Sequence, residues 1–248
     1  MRESYLIIIS AQILSLVFLS TIHSQIKEKE IDYYNWFDEI TGAENSNLYE
    51  GILSVEKYAT LDKSHEFFIS SEYLKGNIVY DEEPYFNIDL KYDIYEDEVL
   101  LGLRSNSQIL MVKLVKERIG EFIINEHRFI RVNDGEDRNP NTLGFQEVLM
   151  ETSFFTLLKK HKKIKYTRYK KSRVFHKFVS SDEYYLAYEH HFYNIKNKKD
   201  IIRIFPEYRA ETNKRSLESL RKTDKDKYMI DLLHIVDSRL ISDKKTLQ

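Results

Sequence analysis

The sequence predicts an α+β protein: a curved antiparallel β-meander, curled towards a half-barrel, with a short N-terminal helix and a set of C-terminal helices. Three observations predict it. Phe86, Ile88, Leu90, Tyr92 and Ile94 alternate with Asn87, Asp89, Lys91 and Asp93, a period of two that buries one face of a strand and wets the other. Strand-like segments separated by short polar breaks recur from Leu48 to Ile195, the spacing of a meander. Beyond Ile195 the apolar period becomes 3.6, which sets helices against the sheet rather than between its strands.

Taken in order, residues 1–24 read as a secretory signal peptide. The apolar stretch YLIIISAQILSLVFL follows Arg2, is shorter than a membrane span, and leads into small residues with a cleavage point between Ser24 and Gln25. The mature chain, 25–248, reads as one domain, free of any Gly/Ser/Pro linker. Its 25–47 lead-in places Tyr33, Trp36, Phe37 and Ile40 on one helix face, with Gly42 to end it. The sheet occupies 48–195. Its strand candidates are 51–58, 66–70, 76–80, the Pro84-led alternating segment, 99–103, 108–116, 121–125, 127–132, 145–151 and 154–159, closed by a hairpin turning at Glu189-His190-His191. Ile109-Leu110-Met111-Val112, apolar on both faces, reads as a central strand. In 196–248, Asn197 caps a helix stopped by Pro206 and a charged helix follows over 207–222. Asp224 then starts a third helix, striped by Met229, Leu232, Leu233, Val236 and Leu240.

Composition narrows the chemistry. The absence of cysteine removes disulfides, thiolate metal sites, catalytic thiols and a lipidated N-terminal cysteine. Seven glycines leave little room for phosphate-cradling loops, and neither a Walker nor a dinucleotide nor a nucleophile-elbow motif is present. Thirty-eight basic residues against forty acidic ones give a net charge of -2, so no global field draws the chain to nucleic acid.

The segments WFDEITGAENSNLYEG (Trp36–Gly51), SSEYLKGNIVYDEEPYFNIDLKYDIYEDEVLL (Ser70–Leu101), HRFIRV (His127–Val132), GFQEVL (Gly144–Leu149) and KKDIIRIFPEY (Lys198–Tyr208) resemble, in the same order, a group of exported proteins of Bacteroidetes. The resemblance implies a Gram-negative envelope location and brings neither an activity nor catalytic residues with it. Hairpins of this kind ordinarily turn on Asn-Gly, which Glu189-His190-His191 replaces here.

The strongest local signal is electrostatic. Lys159, Lys160, Lys162, Lys163, Lys165, Arg168, Lys170, Lys171 and Arg173, continuing to Lys177, are interleaved with Tyr166, Tyr169 and Phe175, without an acid between Thr156 and Ser181. This composition suits an anionic counterpart. In an exported protein that means an outer-membrane protein or an anionic envelope surface rather than nucleic acid; the plain alternative is a solvated Lys-rich hairpin. The expected function is therefore a non-catalytic binding or assembly module, not membrane-spanning after signal cleavage, with no cofactor or metal.

Two other readings compete with it. The acidic block Asp81, Glu82, Glu83, Asp89, Asp93, Glu96, Asp97 and Glu98 places Asp89 and Asp93 on one strand face, where with His127 they could serve a hydrolase. A half-barrel lined by Tyr and Phe could instead hold a small ligand. The acidic and basic blocks could also face one another across the sheet. His190 and His191 read as solvated turn residues, and the loop Asn133–Thr142 as acidic and turn-rich rather than calcium-binding.

Overall fold

The computed structural model describes residues 48, 50–60, 64–105, 108–132, 144–170, 172–210 and 216–246. The signal peptide, the 25–47 helix and the loop Asn133–Thr142 lie outside the described residues.

The strands are β1 (Ile52–Ser54), β2 (Leu74–Tyr80), β3 (Glu83–Asp93), β4 (Glu98–Ser105), β5 (Gln108–Lys113), β6 (Ile119–Ile124), β7 (His127–Val132), β8 (Gly144–Glu151), β9 (Phe155–Lys160), β10 (Lys163–Lys170), β11 (Arg173–Ser180), β12 (Glu183–Tyr188) and β13 (His191–Asn194). Eleven form one antiparallel sheet in the order β1-β5-β4-β3-β2-β6-β7-β8-β9-β12-β13, while β10 and β11 form a separate two-stranded ribbon, bridged to the chain at Thr60 through His176. The sheet is open, with β1 and β13 as its edges. Three helices follow: α1 (Lys198–Ile204), α2 (Ser216–Thr223) and α3 (Lys225–Thr246). The antiparallel sheet with C-terminal helices is the predicted class.

Two meanders make the sheet, and one crossover joins them. From β5 the chain passes a 3₁₀ turn at Lys116–Arg118 and returns to pair β6 with β2, on the side of β2 opposite β3. The crossover is pinned by Leu114 N–H to the Val99 carbonyl and by Asp81 N–H to the Arg118 carbonyl, with Leu114 buried.

Three of the hairpins close with two residues at positive φ: Asp81-Glu82, Asn125-Glu126 and Glu189-His190. Their twist suits antiparallel strands, which is why Asn-Gly is the usual choice; here side chains occupy the strained positions instead.

Strand β3 departs from its alternating pattern for an identifiable reason. Asn87 adopts a φ of 54° and donates its N–H to Asn77 Oδ1, inserting a bulge opposite Gly76–Ile78. Parity changes there, so Tyr85 rather than Phe86 is buried before the bulge, and Leu90 and Tyr92 after it. The supposedly wet face is also covered. Lys91 is 6% and Asp93 5% exposed, because residues 66–68 run alongside the end of β3. Phe68 N–H bonds the Tyr92 carbonyl and Ile94 N–H the Glu66 carbonyl. The strand expected at 66–70 is reduced to this bridge because Ile69, at φ 53°, turns the chain away.

The expectation that Ile109–Val112 is central is likewise corrected. β5 is the penultimate strand, covered at its outer edge only at Met111–Lys113 by the three-residue β1, and Ile109 and Leu110 remain 49% and 40% exposed. Gly51 permits even that pairing, since a Cβ there would collide with Val112 and the Lys113 carbonyl.

Two apolar clusters hold the inner face. One packs Tyr80, Tyr92, Phe122, Phe129 and Phe145 under the β2–β8 region. The other packs Phe155, Leu157, Tyr184 and Leu186 against Ile201, Phe205 and the α3 stripe, of which Met229, Leu232, Leu233 and Val236 are fully buried and Leu240 partly so. Helix α1 is capped as predicted, with Asn197 Oδ1 accepting from Lys199 N–H, and Asp224 Oδ1 receives Lys227 N–H at the start of α3. At the start of the range expected for the middle helix, Pro206–Tyr208 form a 3₁₀ turn instead, and α2 is described over Ser216–Thr223. Among the described residues no helix is long and apolar enough to cross a membrane.

Candidate functional site

Cross-strand pairing divides the basic segment into two populations. Lys159, Lys160, Lys162 and Lys163 serve the fold. Lys159 lies between Asp226 at 2.7 Å and Asp182 at 3.4 Å. Lys160 reaches Asp97 at 3.0 Å and the Phe145 carbonyl. Lys162 pairs with Glu183, and Lys163 Nζ donates to the carbonyls of His65 and Phe67, both at 2.6 Å. These four cations therefore anchor strands rather than await a partner.

The remainder belongs to the ribbon. Directly opposed residues share a face. Lys163, Lys165, Phe178 and His176 face the body: Lys165 Nζ stands over the rings of Tyr58 and Tyr95, and Tyr58 packs edge-on against His176 and Phe178. The opposite face is a ladder of pairs from base to tip: Ile164 with Val179, Tyr166 with Lys177, Arg168 with Phe175, and Lys170 with Arg173. Apart from the half-buried Phe175 these side chains are exposed. Lys171 lies outside the described residues. The predicted composition thus condenses into one outward face, aliphatic at its base, mixed aromatic and cationic in the middle, and wholly cationic at its tip. Tyr169, the most exposed large side chain of the ribbon, lies on the other face beyond the body.

The acidic block does not gather. Asp89 pairs with Lys75, Glu98 with Lys113, and Asp81 with Arg118. Asp93 accepts the N–H groups of Tyr95 and Glu96 inside the β3–β4 turn, and burial raises its carboxyl above the usual range. Among the described residues Asp97 meets the basic segment directly, through Lys160; Lys116 and the Tyr92 hydroxyl also reach it.

His127 turns instead to a cluster that local sequence spacing concealed. Phe129, Glu147, Lys159 and Tyr184 stand opposite one another across β7, β8, β9 and β12, so they share the inner face between the two apolar clusters. Glu147 accepts from His127 Nδ1 on one oxygen and lies 2.6 Å from His161 Nε2 with the other; His161 Nδ1 lies 3.8 Å from Asp182. Phe68 packs edge-on against both imidazoles. Burial alone would raise the Glu147 carboxyl, but its bonds to the two histidines outweigh burial and hold it below the ordinary value. This belt satisfies its own charges. Among the described residues no group of histidines and carboxylates converges as metal ligands do.

A further buried cation, Lys91, went unrecognised as part of a polar strand face. Its ammonium lies 3.3 Å from Glu56 Oε1 and over the rings of Tyr73 and Phe67, at 4.5 and 4.9 Å. The signal that could have found it is the stretch Ile109–Met111, whose double-faced apolarity marks the neighbouring surface rather than a central strand.

No family model matches the chain, and neither a curated protein nor a solved structure does.

Proposed function

We propose that this is an exported cell-envelope protein that acts as a non-catalytic binding module, attaching to an anionic envelope surface through the outward face of the β10–β11 ribbon. One observation carries the reading: exposed Arg168, Lys170, Arg173 and Lys177 share a face with Tyr166, Phe175 and two exposed aliphatic residues at the ribbon base. Cations bring such a face to an anionic interface, and aromatic and aliphatic groups settle into its boundary. The export signal read in residues 1–24 supplies the compartment. We further infer that the sheet curls as a half-barrel, with the Phe122–Phe129–Phe145 cluster on its concave side, so that the ribbon projects from a rigid body.

The test is co-sedimentation of the mature chain with vesicles of phosphatidylglycerol against vesicles of phosphatidylcholine. Each cation near such a surface contributes about 1 kcal/mol, so Lys170→Glu with Arg173→Glu is expected to weaken binding to the anionic vesicles by more than roughly tenfold. Lys199→Glu, exposed on α1, should leave binding unchanged. Equal binding to both vesicle types, or a double variant that sediments like the parent, overturns the reading.

A further inference from the structure

A second surface lies on the outward face of the first meander, apart from the outward face of the ribbon. Residues 53–56, Tyr73, Lys91 and Ile109–Met111 line an open groove of about 470 Å³. That volume is in the range of small-molecule sites, roughly 300–1,000 Å³. Gly102 makes room for one wall: a Cβ there would stand 2.9 Å from the Tyr73 ring, so the ring can approach β4 this closely only because the position is glycine. Tyr73 and Phe67 in turn flank the Lys91 ammonium with their π-faces.

The contrast within the groove identifies its occupant. Its floor holds a buried ammonium, while the carboxylate that faces it belongs to Glu56, whose side chain is 62% exposed on the rim. Their separation of 3.3 Å is longer than the roughly 2.7–2.9 Å of a well-made charge-assisted hydrogen bond. Around them Val55 and Ile109 are exposed aliphatic residues, and Met111, on the Lys91 face of the sheet, adds a deformable wall. A ligand that complements this arrangement carries one negative charge at one end and an unbranched apolar body.

We propose that the groove binds an aliphatic monocarboxylate, whose carboxylate replaces that of Glu56 on Lys91 Nζ and whose chain covers Val55, Ile109 and Met111. Glu56 then acts as an internal competitor, neutralising Lys91 while the groove is empty and swinging into water when it fills. This predicts opposite effects from the two partners of one ion pair.

Calorimetric titration of the mature chain with monomeric dodecanoate, beside dodecanol and an apolar hexapeptide with a free C-terminus, tests it. Dodecanoate is expected to bind once per chain and more tightly than either comparator. Lys91→Met should weaken dodecanoate by about 10- to 100-fold, to the level of dodecanol, as loss of a charge-assisted bond requires. Glu56→Ala should tighten dodecanoate by roughly three- to tenfold and leave dodecanol unchanged, since it removes only the competing carboxylate. The double variant Lys170→Glu/Arg173→Glu should bind dodecanoate like the parent, which separates this groove from the ribbon. Dodecanol bound as tightly as dodecanoate, a stronger hexapeptide, or a Glu56→Ala variant with unaltered dodecanoate affinity overturns the proposal. The last of these needs only an exposed substitution and so stands even where Lys91→Met fails to fold.

Discussion

Glu147 has both carboxylate oxygens engaged by imidazoles in a row that continues to Lys159 and Asp226, which makes it the most consequential single side chain of the inner face. Its carboxyl is held below the unfolded value of 4.5, so its stabilising contribution is complete above that pH and is lost as pH falls below it through the folded value. Asp97 and Asp226 add to the same acid limb from 3.8 downwards. Burial opposes the shift in both; Lys160 and Lys116 outweigh it at Asp97, and Lys159 with the Tyr184 hydroxyl outweighs it at Asp226. Melting curves across acidic pH should therefore show a steep loss of stability. Glu147→Gln is expected to lower stability at neutral pH by about 1–3 kcal/mol and to flatten that acid limb, because it leaves the imidazoles under-partnered and no longer titrates there. The sequence hid this cluster. His127, Glu147, His161 and Asp182 sit on two strands and two connections, at separations that match no local motif, and only strand register brings them together. Lys159 and Lys160 misled for a related reason, since composition counts a cation without showing that an acid from elsewhere in the chain lies against it.

Element boundaries were far more legible, because periodicity is a local property. His127–Val132 appears as predicted, and most other strands differ by one or two residues at their ends. The Asn197 cap and the α3 stripe were equally readable. The failures are places where a local pattern meets a neighbour. At Asn87 a bulge reverses parity within an otherwise regular run, and at Ile109–Leu110 a double-faced apolar stretch belongs to a groove near the sheet edge. The three two-residue turns give a direct test at this scale. A non-glycine residue in the left-handed region costs about 1–2 kcal/mol, partly offset by the entropy glycine brings to the unfolded chain. Glu82→Gly, Glu126→Gly and His190→Gly are each expected to stabilise by about 0.5–1 kcal/mol, read as a rise in melting temperature. Asn197→Ala should do the reverse, at a cost of about 1 kcal/mol, since Lys199 N–H loses its acceptor.

Across the whole molecule, the near-neutral total charge is the outcome of pairing as well as of cancellation. Among the described residues the acidic block is distributed over Lys75, Lys113, Arg118 and Lys160, while the outward face of the ribbon carries exposed cations. Net charge, the one electrostatic quantity available without register, could not have shown this. The attachment of the ribbon has a further effect. Lys163 reaches back 98 residues to His65, and Phe178 N–H reaches back 114 to Ser64 Oγ. The stretch they clamp includes Phe67, which flanks Lys91 in the groove. A chain ending at residue 162 should therefore show faster proteolytic cutting between residues 56 and 67 than the full chain, with most of the preceding sheet still protected. During synthesis, the wall of an N-terminal pocket thus waits for strands made much later. A nascent or truncated chain carries the groove's aliphatic residues without the finished floor that holds Lys91, which links the ability to hold a ligand to completion of translation.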